Sequence, residues 1–323
     1  MTDKIRWGVI STANIGRGKV IPAIKASSNG EVVAVASRSL ESAQKFAQAE
    51  GIPTAYGSYE ELIADPNIDA IYNPLPNRLH AEWSIKCAEA GKPTLCEKPF
   101  ASDAPEAQTI VDAFELHNIL LAEAFMYRFH PQHAKVKEII ANGGIGDLRV
   151  INSSFTFPIS SEDNIRLSKE LAGGGLMDVG CYCVNLMRFM TGEEPDSVTA
   201  SAIIGETTGV DEILAATLQF PSGVIGHFDC GLRASGENQY ILKGTKGKIV
   251  VPVSFVPTRD SDTVVQHWQG NDYTEHTIPA IDQYTLMVED FNDALINNRP
   301  PRFMPSDAVR NMIVTDKMLA QVH

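Results

Sequence analysis

Residues 173–183 read GGGLMDVGCYC: three glycines, then an acid and a phenol four residues apart, Asp178 and Tyr182. In a helix, side chains at i and i+4 share one face. A phenol can donate or take a proton, and a carboxylate beside it can orient or balance the partners. With an ordinary pKa near 10, tyrosine alone is a poor base. A nearby ammonium, or the positive start of a helix, favours the phenolate. The glycines would open such a helix and let a ligand approach the backbone closely. A third candidate is Lys98, which directly precedes Pro99. A residue before proline is held extended, so this is a positioned lysine rather than a loose surface charge. The bland alternative is an ordinary helix in which Tyr182 packs inward and Asp178 caps the first turn.

The elements before this stretch alternate. Short apolar runs at 5–10, 31–37, 68–73, 94–97 and 119–124 are interleaved with helical spacing over 16–26, 40–50, 79–90 and 104–117. That alternation predicts βαβ units and a buried parallel sheet, an α/β architecture. Such sheets bind ligands at the carboxyl ends of their strands. The loops in question are Ser11–Ile15, Ser37-Arg38, Asn73–Asn77 and Glu97-Lys98-Pro99. The first, STANIG, stands where a dinucleotide-binding fold carries GxGxxG. Only the third glycine, Gly16, is present, but Ser11 and Ala13 are small enough for the backbone to approach a pyrophosphate. A plain tight turn is the alternative. The second loop lacks the acid with which an NAD site usually holds the adenosine ribose. Its guanidinium and hydroxyls suit a 2′-phosphate, so NADP(H) is expected ahead of NAD, unless Arg38 is only a solvated surface residue. The expected cofactor contacts are Ser11, Thr12, Ala13, Asn14, Ile15, Ser37, Arg38, Pro74, Leu75, Asn77, His80, Glu97 and Lys98. For His80, a packed or capping role fits equally well.

After Ala124 the pattern changes. A helix over 134–141 is followed by strand-like segments at 148–157, 198–204, 213–220, 224–232, 239–242, 248–253 and 263–267. The compact turns PSG (221–223) and GTKG (244–247) make their flanking strands antiparallel. Helices over 283–297 and 306–322 close the chain. The expectation is a dinucleotide-binding domain over 1–124 and an α+β domain over 125–323 with a large, mostly antiparallel open sheet. Along 224–230, Val224, Gly226, Phe228 and Cys230 share one face, and Ile225, His227 and Asp229 share the other. A face not covered by helices is left for water or a second subunit.

Bulk properties agree. The 323 residues suggest two domains at about 150 residues each, and 44% hydrophobic content is enough for real cores. A formal charge of −13 disfavours nucleic acid and anionic membranes as partners. Five cysteines without a CxxC pair point to neither a disulfide framework nor a zinc site. No apolar run approaches the ~20 residues of a membrane span, and no signal peptide is visible. A soluble, cytoplasmic protein with no resident metal is expected.

The stretches ISTANIG (10–16), PLPNRLH (74–80), GKPTLCEKP (91–99), EAFMYRFHP (123–131) and GGGLMDVGCY (173–182) resemble the glucose–fructose oxidoreductase/inositol dehydrogenase (Gfo/Idh/MocA) family. Many members carry a histidine two residues after the DxG element; here that position is Tyr182. The departure resembles the branch of dimeric dihydrodiol dehydrogenases and NADP-dependent D-xylose dehydrogenases. The resemblance implies an N-terminal Rossmann domain, NADP(H) and an active site of Lys98, Asp178 and Tyr182. It also implies a homodimer or dimer of dimers paired through the second-domain sheet. The small-molecule substrate would be a sugar or a vicinal diol. Tyr182 would take the hydroxyl proton as hydride leaves for the nicotinamide, and would return it in reduction. Keto-sugar or anhydro-sugar reduction is the nearest alternative. A nucleotide-sensing regulator is a further one, against which the retention of Lys98 and Tyr182 argues. Substrate-pocket candidates are Phe125, Phe155 and Arg166, with Phe157 and Trp268 behind them; each fits a core or surface role as well.

Overall fold

The computed structural model describes residues 4–322. Two compact units emerge, one running through Met126 and taking in Gln283–Val309, the other holding Tyr127–Asp282 and the chain from Arg310 on.

The first unit is built on six parallel strands: β1 (Ile5–Ile10), β2 (Gly30–Ala36), β3 (Thr54–Tyr56), β4 (Ala70–Asn73), β5 (Thr94–Glu97) and β6 (Leu121–Ala124). Their order, β3-β2-β1-β4-β5-β6, reverses direction between β1 and β4. That reversal is the switch point at which doubly wound sheets bind dinucleotides. Helices α1 (Ile21–Ala26), α2 (Leu40–Glu50), α3 (Tyr59–Ala64), α4 (His80–Glu89) and α5 (Ala104–His117) connect the strands. Central strands buried on both faces read as continuous apolar runs, and β4 and β5 are buried at every position. Side-chain caps set the helix starts: Ser39 accepts from Ser42 N, Ser58 from Glu61 N and Asp103 from Glu106 N. The sequence pattern did not reveal β3 and α3, which are three and six residues long.

The second unit carries α6 (Pro131–Ala141), β7 (Leu148–Thr156), α7 (Cys181–Thr191) and seven further strands. These are β8 (Ser197–Ile204), β9 (Asp211–Gln219), β10 (Ile225–Gly231), β11 (Glu237–Gly244), β12 (Gly247–Val251), β13 (Thr263–Gln269) and β14 (Asp272–Ile278). The sheet order is β14-β13-β12-β11-β7-β10-β9-β8. Every pair is antiparallel except β7 with β10. Gly226, Phe228 and Cys230 are buried, while Ile225, His227 and Asp229 face outward, as the alternation predicts. Burying a side chain such as Phe228 stabilises the sheet–helix layer by roughly 1.5–3 kcal/mol. Helix α7 and the turn before it cover this face, and a side chain at Gly180 would overlap Sγ of Cys230. The strand β14 escaped the sequence pattern because it is exposed at almost every position and shows no alternation.

One expected boundary changes. The segment 283–309, with α8 (Gln283–Ile296) and the start of α9 (Pro305–Val322), belongs to the first unit rather than to a continuous 125–323 domain. Trp7 Nε1 donates to Asn292 Oδ1 at 2.9 Å, and the Trp7 ring lies 5.1 Å from that of Phe291. Ser28 donates through both N and Oγ to Glu289 Oε1, each at 3.0 Å. The buried stripe Tyr284, Met287, Val288 and Phe291 has ordinary helical spacing. Such a stripe states that a face is buried, not which sheet buries it. All five cysteines are buried, with no disulfide among the described residues. Among the described residues, no helix is long and apolar enough to cross a membrane.

Candidate active site

In the first unit, four loops leave the carboxyl ends of β1, β2, β4 and β5. Ser11 has φ 76°, the left-handed region that a glycine would fill without strain. A serine there costs roughly 1–2 kcal/mol, at the first glycine's place in the fingerprint. Ser11 Oγ is buried and has no hydrogen-bond partner among the described residues. The helix that follows begins at Asn14 and winds through a π turn, Gly16–Val20, and no side chain among the described residues accepts from its first N–H groups. Thr12, Ala13 and Ile15 are half-buried, and Asn14 is exposed. Beyond β2, Ser37 N donates to Tyr56 O at 3.2 Å, while Arg38 is exposed and makes no ion pair among the described residues. No carboxylate ends this strand.

The other two loops are braced from within. His80 is fully enclosed, with Nδ1 2.9 Å from Pro99 O and Nε2 2.7 Å from Leu75 O. Burial pushes its pKa down to about 4, against the pull of the two carbonyls. A neutral ring can donate to only one of these two carbonyls. The residue expected among the cofactor contacts is thus an internal tie between the PLPN and EKP loops. Glu97 is likewise an anchor: Oε1 accepts from Tyr72 OH at 2.6 Å and Oε2 from Lys98 N at 3.3 Å. Pro74 and Leu75 are buried, and Asn77 and Lys98 are half-buried. The Lys98–Pro99 bond is cis.

In the second unit, the glycine run leads into a π turn, Leu176–Gly180, and then α7. Asp178 lies in that turn, and its Oδ2 accepts from Arg166 Nε at 2.7 Å. The Asp178 side chain is 12% exposed and that of Arg166 is 42% exposed. Tyr182, nearly buried, sits among three rings: Phe155 at 5.3 Å, Phe255 at 5.4 Å and Tyr127 at 5.7 Å between centroids. Tyr127 is itself fixed, its hydroxyl donating to Asn185 Oδ1 at 2.6 Å. Tilted and edge-on aromatic packing of this kind holds a ring in one orientation. Of the expected substrate residues, Phe155 and Arg166 thus flank Tyr182 and Asp178. Phe125 is fully buried in the first unit. Phe157 is half-buried, and Trp268 packs instead on Lys248 and Tyr273. Phe255 and Tyr127 were not anticipated in this role. Tyr127 lies inside the EAFMYRFHP stretch, whereas nothing in the sequence around Phe255 marks it.

The first unit's residues fit a dinucleotide phosphate. They offer an uncapped helix start at the switch point, a left-handed backbone at Ser11 with an unpartnered hydroxyl, and a guanidinium past β2 in place of an acid. Residues 5–125 match the oxidoreductase family with an NAD-binding Rossmann fold, and residues 133–250 match the GFO/IDH/MocA C-terminal domain. The chain belongs to this Gfo/Idh/MocA oxidoreductase family. It is 37% identical over 312 residues to D-xylose 1-dehydrogenase (NADP(+)) 2 of Haloferax volcanii, covering 96% of this chain and 95% of that one. It is 38% identical over 256 residues to trans-1,2-dihydrobenzene-1,2-diol dehydrogenase of Mus musculus, covering 79% and 76%. Among solved structures, KijD10, a 3-ketoreductase from Actinomadura kijaniata in complex with NADP and TDP-benzene, superposes with a TM-score of 0.95 at 30% identity, covering 99% and 98%.

Proposed function

We propose that this chain is an NADP-dependent oxidoreductase acting on a carbinol or carbonyl of a sugar or vicinal diol, with Tyr182 as its proton-transfer residue. The observation that carries the reading is the fixed phenol of Tyr182, caged by three rings and one turn beyond a carboxylate held by Arg166. When bound, the nicotinamide supplies or accepts the hydride. The Ser11–Ile15 backbone binds the pyrophosphate, and Arg38 holds the 2′-phosphate. The Tyr182 phenolate oxygen takes the proton of the substrate hydroxyl in oxidation, and the resulting phenol returns it in reduction. Lys98 acts as its electrostatic partner, since an ammonium favours phenolate. Asp178 orients the substrate hydroxyl. The D-xylose and dihydrodiol dehydrogenases among the relatives support this reading, and the likeness to the 3-ketoreductase supports keto-sugar reduction by the same machinery.

The test is turnover of purified protein with NADP⁺ or NADPH against panels of aldoses, vicinal diols and keto-sugars. Turnover of at least one class, faster with the phosphorylated cofactor, is expected. Cofactor binding without turnover on any panel would point to a sensing regulator. We read the outer face of the second unit's sheet as a contact between two copies. Ile203 and Ile225 are 61% and 43% exposed on that face. Light scattering should therefore give at least twice the 35.2 kDa of one chain. A single-chain particle at micromolar concentration would refute it.

A further inference from the structure

Asp211 opens β9 and is 0% exposed. Its Oδ2 accepts from Leu176 N at 2.6 Å, at the first residue of the turn that leads into α7. Its Oδ1 is buried, has no hydrogen-bond partner among the described residues, and faces Gly174. Gly174 has φ 122°, and a Cβ there would overlap Oδ1. The glycine run is thus shaped around this carboxylate. The same run is tied to the segment that carries Arg166: Gly174 N donates to Arg166 O at 2.8 Å and Gly173 N to Ser168 O at 2.9 Å. Asp178 N then donates to Gly174 O at 3.0 Å, and Asp178 Oδ2 accepts from Arg166 Nε. One connected set of contacts therefore joins Asp211, the glycines, Arg166, Asp178 and the helix bearing Tyr182.

We propose that Asp211 is a positioning residue for the reaction: its ionised carboxylate sets the helix start from which Asp178 and Tyr182 project. This rests on the reading that Tyr182 transfers the proton. A buried carboxylate with one partnerless oxygen is costly to the fold. Burial accordingly pushes the Asp211 pKa up to about 6, while the amides of Leu176, Asp211 and Gly175 pull it back. The sign follows from linkage. The folded state holds this proton more tightly than the unfolded one, whose ordinary value is 3.8. Stability from this group therefore falls as pH rises from 3.8 to about 6, and the ionised form is a standing cost above that. The other titratable groups on the packed elements do not neutralise it. Asp178 on the helix is paired with Arg166, and Cys230 on β10 is held as a thiol by burial. Glu212 on β9 faces Arg233, and the Lys169 stem passes Gly209.

The test is Asp211→Asn, which keeps the shape and one acceptor oxygen but cannot ionise. Its melting temperature near neutral pH should be no lower than the parent's, and its NADPH affinity unchanged. A misplacement of about 1 Å can cost 10²-fold in rate, so kcat should fall by about 10–100-fold. The inflection expected near pH 6 in the parent's kcat profile should disappear. Gly174→Ala, which drives a methyl into Oδ1, should lose kcat in the same way. Full kcat in Asp211→Asn or in Gly174→Ala would overturn the proposal. So would a lowered melting temperature in Asp211→Asn with kcat per folded molecule intact. If Asp211→Asn fails to fold, a parent profile with no inflection near pH 6 overturns it. Tyr182→Phe, run alongside, separates the two ideas. Full activity there sinks the proton-transfer reading, whereas an inactive Tyr182→Phe with a fully active Asp211→Asn sinks only this one.

Discussion

The turn Gly16–Val20 follows β1 in the first unit, and the turn Leu176–Gly180 follows the glycine run in the second; both are π-helical. Such turns are uncommon and concentrate at functional sites. Every helix start leaves N–H groups that need an acceptor, along with a partial positive charge. At the first turn no side chain answers them, and the neighbouring Ser11 hydroxyl has no partner among the described residues. At the second, the buried carboxylate of Asp211 does. On the proposed function, the first start takes the anion that arrives with the cofactor. The other receives its negative charge from the chain and holds side chains in place. On the reading proposed here, similar backbone geometry serves binding in one unit and orientation in the other.

That division can be broken from either side. The largest effect is expected at Lys98. General acid–base machinery contributes typically 10²–10⁴-fold, and Lys98→Met should reduce kcat on about that scale. Combined with Tyr182→Phe the losses should not add, because residues that act as a unit fail together. Fully additive losses would separate the lysine from the phenol. Next is Arg38→Ala. A charge-assisted hydrogen bond contributes roughly 1.5–3 kcal/mol, so NADPH should bind about 10–100-fold more weakly with NADH unaffected. Equal losses for both cofactors, measured by fluorescence titration, would mean that Arg38 does not read the phosphate.

A smaller effect runs through both units. Burial lowers the pKa of His80 and of His130 to about 4 and that of His133 to about 3. The unfolded chain takes up protons that these sites refuse, so stability is present above the ordinary value of 6.5 and is lost as pH falls toward those values. Each such group contributes a slope of about 1.4 kcal/mol per pH unit in that window. Melting temperature should therefore decline steadily from neutral pH to pH 5. A flat profile would mean that these histidines are not buried as neutral rings.

The sheets were legible from sequence because their signals are local. Apolar runs mark β4 and β5, and the PSG and GTKG turns mark hairpins. The strands β3 and β14 were not, one too short and the other too exposed to carry a pattern. The return of Gln283–Val309 to the first unit was hidden because an amphipathic helix does not name its partner. At the site, Asp178 and Tyr182 stood out through their spacing behind three glycines. Their supports did not: Asp211 lies 35 residues from the backbone amide it accepts from, and Phe255 meets Tyr182 from a distant stretch. Ser11 shows a different limit. Its left-handed backbone follows from the fold around it, not from its residue type, since such a φ favours glycine.

On the proposed function, the second unit's phenol does the proton chemistry while the first unit does the binding. Phenylalanine at position 182 keeps the ring and its packing against Phe155, Phe255 and Tyr127, and removes only the oxygen. Tyr182→Phe should therefore fold, bind NADPH as tightly as the parent and lose about 10²–10⁴-fold in kcat. A kcat close to the parent's, in a protein shown to bind NADPH normally, would contradict it and leave Tyr182 as a packing residue.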